Sequence, residues 1–116
     1  VNCLSPTAGT RMLEGLVTDE QSDIMTVESV TAGLLTICDE AAPNRIILCA
    51  GAGGYARTHI YETDGIYLSP EQQTPENVRA QIEAIENPEG HQMLVGGFQQ
   101  TNKFVAKAAA YMADKK

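Results

Sequence analysis

The first half of the chain carries a pattern of apolar and polar positions that predicts a strand, a helix and a second strand. Residues 1–4 form an apolar segment of strand length, and residues 5–10 predict a loop because proline and glycine interrupt the pattern. Behind Thr26, a good N-terminal cap, apolar residues recur at helical spacing over residues 27–40. Residues 45–50 hold a continuous apolar run, which is typical of a strand covered on both faces in a parallel sheet.

The second half of the chain predicts a β-hairpin followed by helices. Residues 55–61 alternate in polarity, and the turn signal Asp64-Gly65 separates them from the apolar run 66–68. Thr74-Pro75 begins a predicted helix with a cap and a proline at the first helical position, and residues 102–113 carry the apolar stripe of a last helix. Two short segments complete the pattern, an amphipathic helix over residues 13–17 and a solvated acidic stretch over residues 18–23.

The order of these elements predicts an α/β protein with a helical C-terminal extension. Strand, helix and strand make one βαβ unit, and a single unit cannot cover both faces of its own sheet. The chain also begins inside a predicted strand, without an initiator methionine. We therefore expect it to be a piece of a longer protein.

The charge balance narrows the classes of partner. The 116 residues include 15 acidic and 8 basic side chains, a net charge of −7, whereas nucleic-acid binding needs clustered basic residues. No apolar run is long enough for a transmembrane helix, so we expect no membrane partner. Cys3, Cys38 and Cys49 are widely spaced and form no Cys-x-x-Cys pair, which disfavours a metal or redox site and favours a reducing, cytoplasmic setting.

Two motifs suggest chemistry that their sequence context does not support. The segment GAGGYA at residues 51–56 matches the dinucleotide pattern G-x-G-x-x-A, but that loop must open a helix, and the following residues alternate like a strand. Tyr111 and Lys115 match Y-x-x-x-K, yet they lie at the fraying end of the last predicted helix, and the nearest upstream serine is Ser69. We interpret the first motif as a glycine-lined strand end and the second as an amphipathic helix end.

Residues 1–12, VNCLSPTAGTRM, resemble the segment that follows the catalytic helix in short-chain dehydrogenases/reductases. In that family a strand ends in Asn-x-x-x-Pro, which Asn2 and Pro6 match, and the next loop meets the nicotinamide. The form Pro-x-Ala-Gly-x-Arg-Met is similar to the (3R)-hydroxyacyl-CoA dehydrogenase part of peroxisomal multifunctional enzymes. Residues 26–40 and 46–54 continue the resemblance as the last helix and strand of the dehydrogenase domain.

The resemblance implies the C-terminal part of a Rossmann-type, doubly wound parallel sheet. It also implies hydride transfer between NAD or NADP and a hydroxyl or carbonyl substrate, such as a 3-hydroxyacyl-CoA. It assigns the cofactor loop to Pro6, Thr7, Ala8 and Thr10, and a substrate loop to Met12, Leu13 and Leu16. Two positions depart from the family's pattern, since Thr7 stands where many relatives have glycine, and Arg11 stands where they have threonine, which leaves Thr10 as the nearest hydroxyl.

The family's glycine-rich cofactor loop, catalytic serine and Tyr-x-x-x-Lys pair have no counterpart at the expected places in this chain. No catalytic residue is therefore assigned, and we expect the chain to be inactive by itself. The resemblance divides the chain into residues 1–54, part of the dehydrogenase domain, and residues 55–116, a hairpin and helical extension. Candidates for contact with CoA phosphates are the lysines of the last segment, although a solvated helix end is the simpler interpretation: Lys103, Lys107, Lys115 and Lys116.

An alternative interpretation is a small, non-enzymatic binding module. It would be a homodimer formed by pairing strand 45–50 with its copy across a symmetry axis. Both interpretations predict a homo-oligomer, because an unfinished sheet leaves strands that a partner must cover.

Overall fold

The computed structural model describes residues 1–115 and divides them into two units. The first unit, residues 1–59, is built on a three-stranded mixed sheet. β1 (Cys3–Thr7) lies parallel to β2 (Ile47–Gly51), and β3 (Gly54–Thr58) runs antiparallel along the other edge of β2. Between β1 and β2 the chain forms α1 (Asp19–Ile24) and α2 (Val27–Cys38). The mixed α/β class and the βαβ order predicted from the sequence are confirmed.

Helix α2 packs on one face of the sheet through Gly33, its buried residue. A Cβ atom at Gly33 would lie 3.1 Å from the Cβ atom of Ala50 and 3.4 Å from Cδ2 of Leu48, so the helix backbone approaches β2 closely. The hydroxyl of Tyr55 donates a hydrogen bond of 2.8 Å to the carbonyl oxygen of Ser29, which ties β3 to the same helix. The helix therefore holds two strands of the sheet.

Strand β1 extends three residues beyond its predicted end. Residues 5–7 were expected in a loop because of Pro6, but they pair in parallel register with β2, Ser5 opposite Cys49 and Thr7 opposite Gly51. Among the strands of this sheet β1 lies at the edge, where a proline can be accommodated because it need not donate to a neighbour on its outer side. The loop prediction for these residues is wrong.

Strand β2 is the central strand of the three. Leu48, for example, lies opposite Leu4 of β1 on one side and opposite Arg57 of β3 on the other. A homodimer that pairs this strand with its own copy needs a free edge on the strand. The structure contradicts that form of the alternative interpretation, because both edges are already hydrogen-bonded within the chain.

The glycine-rich segment at residues 51–56 turns the chain from β2 into β3. Ala52 and Gly53 occupy the turn with φ values of 49° and 77°, the pair of left-handed residues that closes a two-residue hairpin. No helix begins here, so the strand-end interpretation of GAGGYA is confirmed. The hairpin predicted around Asp64-Gly65 is wrong, because residues 61–62 pair with residues 92–93 instead of with 66–68.

The second unit begins at Ile60 and consists of short elements followed by one long helix. β4 (Tyr61–Glu62) pairs antiparallel with β5 (Gln92–Met93). Between them lie a 3-10 turn at residues 70–72 and the helices α3 (Pro75–Ala80), which begins as predicted, and α4 (Ile82–Glu86). α5 (Gly97–Asp114) begins five residues before the predicted start, because the side chain of Gln99 accepts a hydrogen bond from the amide of Gly96 and caps an earlier turn.

Two lysines of α5 bind acidic residues at the end of strand β4 and just after it. Lys103 forms an ion pair with Glu62 and donates a 2.7 Å hydrogen bond to the carbonyl oxygen of Thr63. Lys107 lies 2.7 Å from Asp64. These contacts hold the helix against residues 62–64.

The ion pairs predict a pH-dependent stability of the second unit. The hydrogen bond from Lys103 holds the pKa of Glu62 below its ordinary value, and the hydrogen bond from Lys107 does the same to the pKa of Asp64. Because the folded carboxyls bind protons more weakly than the unfolded ones, the stabilisation is present above the ordinary carboxyl pKa values of about 4 and is lost as the pH falls through the lowered pKa values of the folded state.

Thermal unfolding measured from pH 3 to pH 7 tests this expectation. A Glu62→Gln variant is expected to show a flatter dependence of Tm on pH in the acidic range. Glu83→Gln, on exposed α4, is the matched control and is expected to keep the slope of the original protein. Equal slopes for all three proteins would contradict the assignment of this pH dependence to Glu62.

Candidate functional site

The connection from β1 to α2 contains the predicted cofactor and substrate loops. A 3-10 turn forms at residues 11–13, followed by a turn through Gly15, whose φ is 79°. The predicted helix over residues 13–17 is wrong, because this left-handed residue ends the turn before a helix can propagate. The acidic stretch after it is exposed, as predicted, but it forms helix α1, since Thr18 and Gln21 cap its N-terminus reciprocally.

Pro6 and Thr7 lie at the carboxyl end of β1. Thr7 is opposite Gly51 at the carboxyl end of β2, and a Cβ atom on Gly51 would lie 2.8 Å from the carbonyl oxygen of Thr7. Only a residue without a side chain permits this approach of the two strand ends. Ligands of open α/β sheets bind beyond the carboxyl ends of the strands, and this is where the structure places Pro6 and Thr7.

The remaining predicted loop residues are spread over residues 8–16. Ala8 is half-buried, and Thr10 precedes the 3-10 turn without a side-chain cap hydrogen bond to it. Leu13 is half-buried, whereas Met12 and Leu16 are 88% and 76% exposed. The structure thus brings Thr10 and Leu13 to one small recess of about 270 Å³ and leaves Met12 and Leu16 at the surface.

An open groove of about 790 Å³ lies beside the carboxyl ends of the strands. Cys49 and Ala56 are neighbours across the strands on the face that points away from Gly33 and α2. The groove's lining is largely apolar and includes Thr7, Val17, Gln21, Met25, Cys49 and Tyr55. No carboxylate, imidazole or ammonium group lines it. These residues can bind and orient a neutral or apolar group, but they supply no ordinary general base.

Asn2 joins three segments of the first unit near the amino end of β1, a role that the sequence alone does not reveal. Its side-chain amide donates to the carbonyl oxygens of Ile37 at 3.2 Å and Pro43 at 2.7 Å. Its side-chain oxygen accepts a 3.1 Å hydrogen bond from the amide of Ile46. One side chain therefore joins the end of α2 and the start of β2 to β1. The match of Asn2 to the Asn-x-x-x-Pro pattern was the available signal.

The pair Tyr111 and Lys115 behaves as a helix end. The ammonium group of Lys115 lies 4.6 Å from the centroid of the Tyr111 ring. A hydrogen bond with Tyr111 raises the pKa of Lys115, so the lysine is protonated and cannot act as a base near neutral pH. The ring of Tyr111 also packs against Tyr67 at 5.2 Å. These contacts fit the amphipathic interpretation.

Two further properties concern the described residues as a whole. Among residues 1–115, no cluster of three or more His, Cys, Asp or Glu side chains has the geometry to hold a metal ion. No helix in this part of the chain has both the length and the apolar character to cross a bilayer.

Comparison with known proteins shows that the fold of this chain is similar to part of a solved structure. No protein-family model and no curated protein sequence matches the chain. Among solved structures, the chain is similar to full-length peroxisomal multifunctional enzyme type 2 from Drosophila melanogaster, with a TM-score of 0.64 and 17% sequence identity. The match covers 97% of this chain and 19% of that chain.

This similarity concerns the course of the backbone. At 17% identity it shows a shared fold, and the chain spans about a fifth of the length of the structure it matches. The neighbour is an enzyme by its name, and for this chain the similarity shows the fold alone.

Proposed function

We propose that this chain is the C-terminal segment of an NAD(P)-dependent dehydrogenase of the short-chain type. The observation that carries the proposal is the position of the cofactor loop suggested by residues 1–12. It leaves the carboxyl end of β1 directly beside the carboxyl end of β2 and borders an apolar groove. This is the place where open α/β sheets bind nucleotides. The fold likeness to a segment of a larger enzyme supports the proposal.

The residues present fit the flat ring and the neutral carboxamide of a nicotinamide. The groove presents small, apolar and neutral polar side chains, and Thr7 and Thr10 supply hydroxyls near its rim and at the adjoining recess. In this proposal Pro6, Thr7, Ala8 and Thr10 hold the cofactor's carboxamide end, and the cofactor supplies the hydride. The side chains that move the substrate's proton lie outside this chain, in a doubly wound Rossmann sheet of which β1 and β2 are the last parallel strands.

The substrate in this proposal is a hydroxyl or carbonyl compound, for example a 3-hydroxyacyl-CoA. The lysines suggested for CoA phosphates do not strengthen that example. Lys103 and Lys107 are paired with Glu62 and Asp64, and Lys115 lies on Tyr111. Lys116 lies outside the described residues. A cytoplasmic location and a homo-oligomer remain predictions.

The decisive experiment is an assay of the full-length protein that contains this segment. We expect oxidation of NADH or NADPH when a 3-ketoacyl-CoA is offered, and no stoichiometric NADH binding by residues 1–116 alone. A Thr10→Val variant is expected to raise KM for the dinucleotide about fivefold, because one hydrogen bond to the cofactor is worth about 1 kcal/mol. Absorbance at the reduced-nicotinamide band follows the reaction.

Thr101→Val is the matched control, since Thr101 is exposed on α5 in the second unit. It is expected to leave KM for the dinucleotide within a factor of two. Absence of dinucleotide binding and of activity towards a panel of carbonyl and hydroxyl substrates would refute the proposed function. Tight NADH binding by the 116 residues would contradict the claim that the cofactor site is shared with another part of the protein.

A further inference from the structure

Gln21 of helix α1 contributes its side chain both to the cap of that helix and to the lining of the groove. Its side-chain oxygen accepts a 2.9 Å hydrogen bond from the amide of Thr18, and its own amide donates to the hydroxyl of Thr18 at 3.2 Å. Because a backbone N–H can only donate, the first contact identifies which end of the Gln21 amide group is the oxygen. The reciprocal cap therefore orients this side chain.

The nitrogen of the same side chain, Nε2, is left for a ligand. The hydrogen bonds that Gln21 forms within residues 1–115 use its side-chain oxygen and its backbone amide, and none uses Nε2. A primary amide nitrogen carries two N–H donors and cannot accept. Since Gln21 lines the groove, an acceptor oxygen on a bound molecule can satisfy these donors.

Gln21 offers the groove a kind of polar group that the rest of its lining lacks. The other polar side chains there carry a hydroxyl or a thiol, which can accept as well as donate: Ser5, Thr7, Cys49 and Tyr55. The hydroxyl of Tyr55 is already used, because it donates to the carbonyl oxygen of Ser29. Among the described residues that line the groove, Gln21 thus supplies the one side-chain group that only donates.

The charge of the lining decides which kind of oxygen suits Nε2. No charged side chain is among the described residues that line the groove. A carboxylate bound there would lose water without gaining a counter-ion, which is costly. A neutral carbonyl oxygen can accept from Nε2 without that cost, so the groove favours a neutral acceptor.

We propose that Gln21 is a specificity-determining residue that donates from Nε2 to a second, non-reacting carbonyl oxygen of the substrate. The inference rests on the proposed function, in which the side chains that move the proton of the reacting oxygen lie outside this chain. The oxygen that meets Gln21 is therefore a different one. A 3-ketoacyl thioester carries such an oxygen on its thioester carbon, whereas a simple ketone does not.

A Gln21→Glu substitution separates this role from the helix cap. A carboxylate oxygen can still accept from the amide of Thr18, and an acid in the first turn favours the helix dipole, so the Tm is expected to be retained. The variant has no N–H donor to offer to a ligand. Gln99→Glu is the matched control, because Gln99 caps α5 in the same way, with its side-chain oxygen 2.8 Å from the amide nitrogen of Gly96.

Calorimetric titration of the full-length protein with acetoacetyl-CoA measures the contact without turnover. Oxidised dinucleotide is present throughout and cannot reduce the ketone. We expect Gln21→Glu to raise Kd for acetoacetyl-CoA at least about tenfold, because a hydrogen bond is lost and a carboxylate then faces a carbonyl oxygen. Gln99→Glu is expected to leave Kd within about a factor of two, because Gln99 does not line the groove.

An analogue, S-(3-oxobutyl)-CoA, tests which oxygen is bound, because a methylene group replaces its thioester carbonyl. The original protein is expected to bind it about fivefold more weakly than acetoacetyl-CoA, and Gln21→Glu is expected to bind it no more weakly. Equal binding of the two ligands by the original protein would overturn the role of Gln21 without any variant. An unchanged preference in Gln21→Glu would overturn it as well.

The failure of this inference is distinguishable from the failure of the proposed function. A protein that oxidises NADH or NADPH with a 3-ketoacyl-CoA, but whose ligand preference does not depend on Gln21, leaves the proposed function standing and overturns the role of Gln21. A protein without dinucleotide-dependent activity refutes the proposed function, and the role of Gln21 falls with it.

Discussion

Replacing Asn2 by alanine is expected to lower the free energy of unfolding by about 3 kcal/mol. The substitution removes the hydrogen bonds to Ile37, Pro43 and Ile46, each worth about 1 kcal/mol. Ile46 is only 7% exposed, so its amide loses its partner in a place that water reaches poorly. Urea denaturation measures the stability, and hydrogen exchange at the amide of Ile46 reports on the lost contact directly.

Asn102→Ala is the matched control for this substitution. Asn102 is exposed on α5, and its replacement is expected to change the free energy of unfolding by less than about 0.5 kcal/mol. If Asn2→Ala leaves both the stability and the exchange rate at Ile46 unchanged, the side chain of Asn2 does not connect β1 to the start of β2 as the structure shows.

Replacing Gly33 by leucine is the second change with a large expected effect. A Cβ atom at this position already lies 3.1 Å from Ala50 and 3.4 Å from both Leu48 and Tyr55, so no space remains for the rest of a leucine side chain. We expect the free energy of unfolding to fall by about 3 kcal/mol, because α2 must move away from the sheet. The measurement is again the midpoint of urea unfolding. The slope of the free energy of unfolding against urea concentration is compared as well, because an equal slope shows that unfolding exposes the same amount of surface.

Ala32→Leu provides the control on the same helix. Ala32 precedes Gly33 but is exposed, so the same leucine is expected to change stability by less than about 0.5 kcal/mol. Gly33→Ala is expected to fall between the two, because the gain in helix propensity of about 1 kcal/mol opposes a contact that needs a small adjustment. A Gly33→Leu variant as stable as Ala32→Leu would contradict the close packing of α2 on β2.

Local signals in the sequence were sufficient for several elements. Thr26 caps α2 and Thr74 caps α3, as their positions before apolar repeats and, for α3, a proline predicted. The apolar run at residues 45–50 became strand β2 within a shift of two residues at its start and one at its end. These predictions succeed because a cap, a proline and a side-chain period act over only a few neighbouring residues.

Predictions that depend on partners distant in the sequence failed or were incomplete. Gly65 has the left-handed φ of 72° that the Asp64-Gly65 signal favours, but strand β4 finds its partner in residues 92–93. Likewise the local pattern predicts a loop from Ser5 onwards, yet β1 continues because Thr7 pairs with Gly51. Pairing of strands is decided by what lies alongside them, which no local pattern records.

The candidate site also combines residues that a sequence motif predicts with residues that only the fold brings there. The motif at residues 1–12 predicts a loop site at Pro6, Thr7, Ala8 and Thr10, and the first two are the last residues of strand β1. The groove beside them is also lined by Gln21, Met25 and Cys49, none of which belongs to a sequence motif. Their position is set by the fold of α1 and by the register of β2.

The sequence by itself determined the α/β class and the two main helix caps, because each depends on residues close together in the chain. The tertiary structure decided the central position of β2, the bridging role of Asn2 and the need for glycine at positions 33 and 51. In each of these cases the deciding contact joins segments that are separated in sequence. Whether a side chain fits or finds a hydrogen-bond partner there depends on distances that only the folded chain defines.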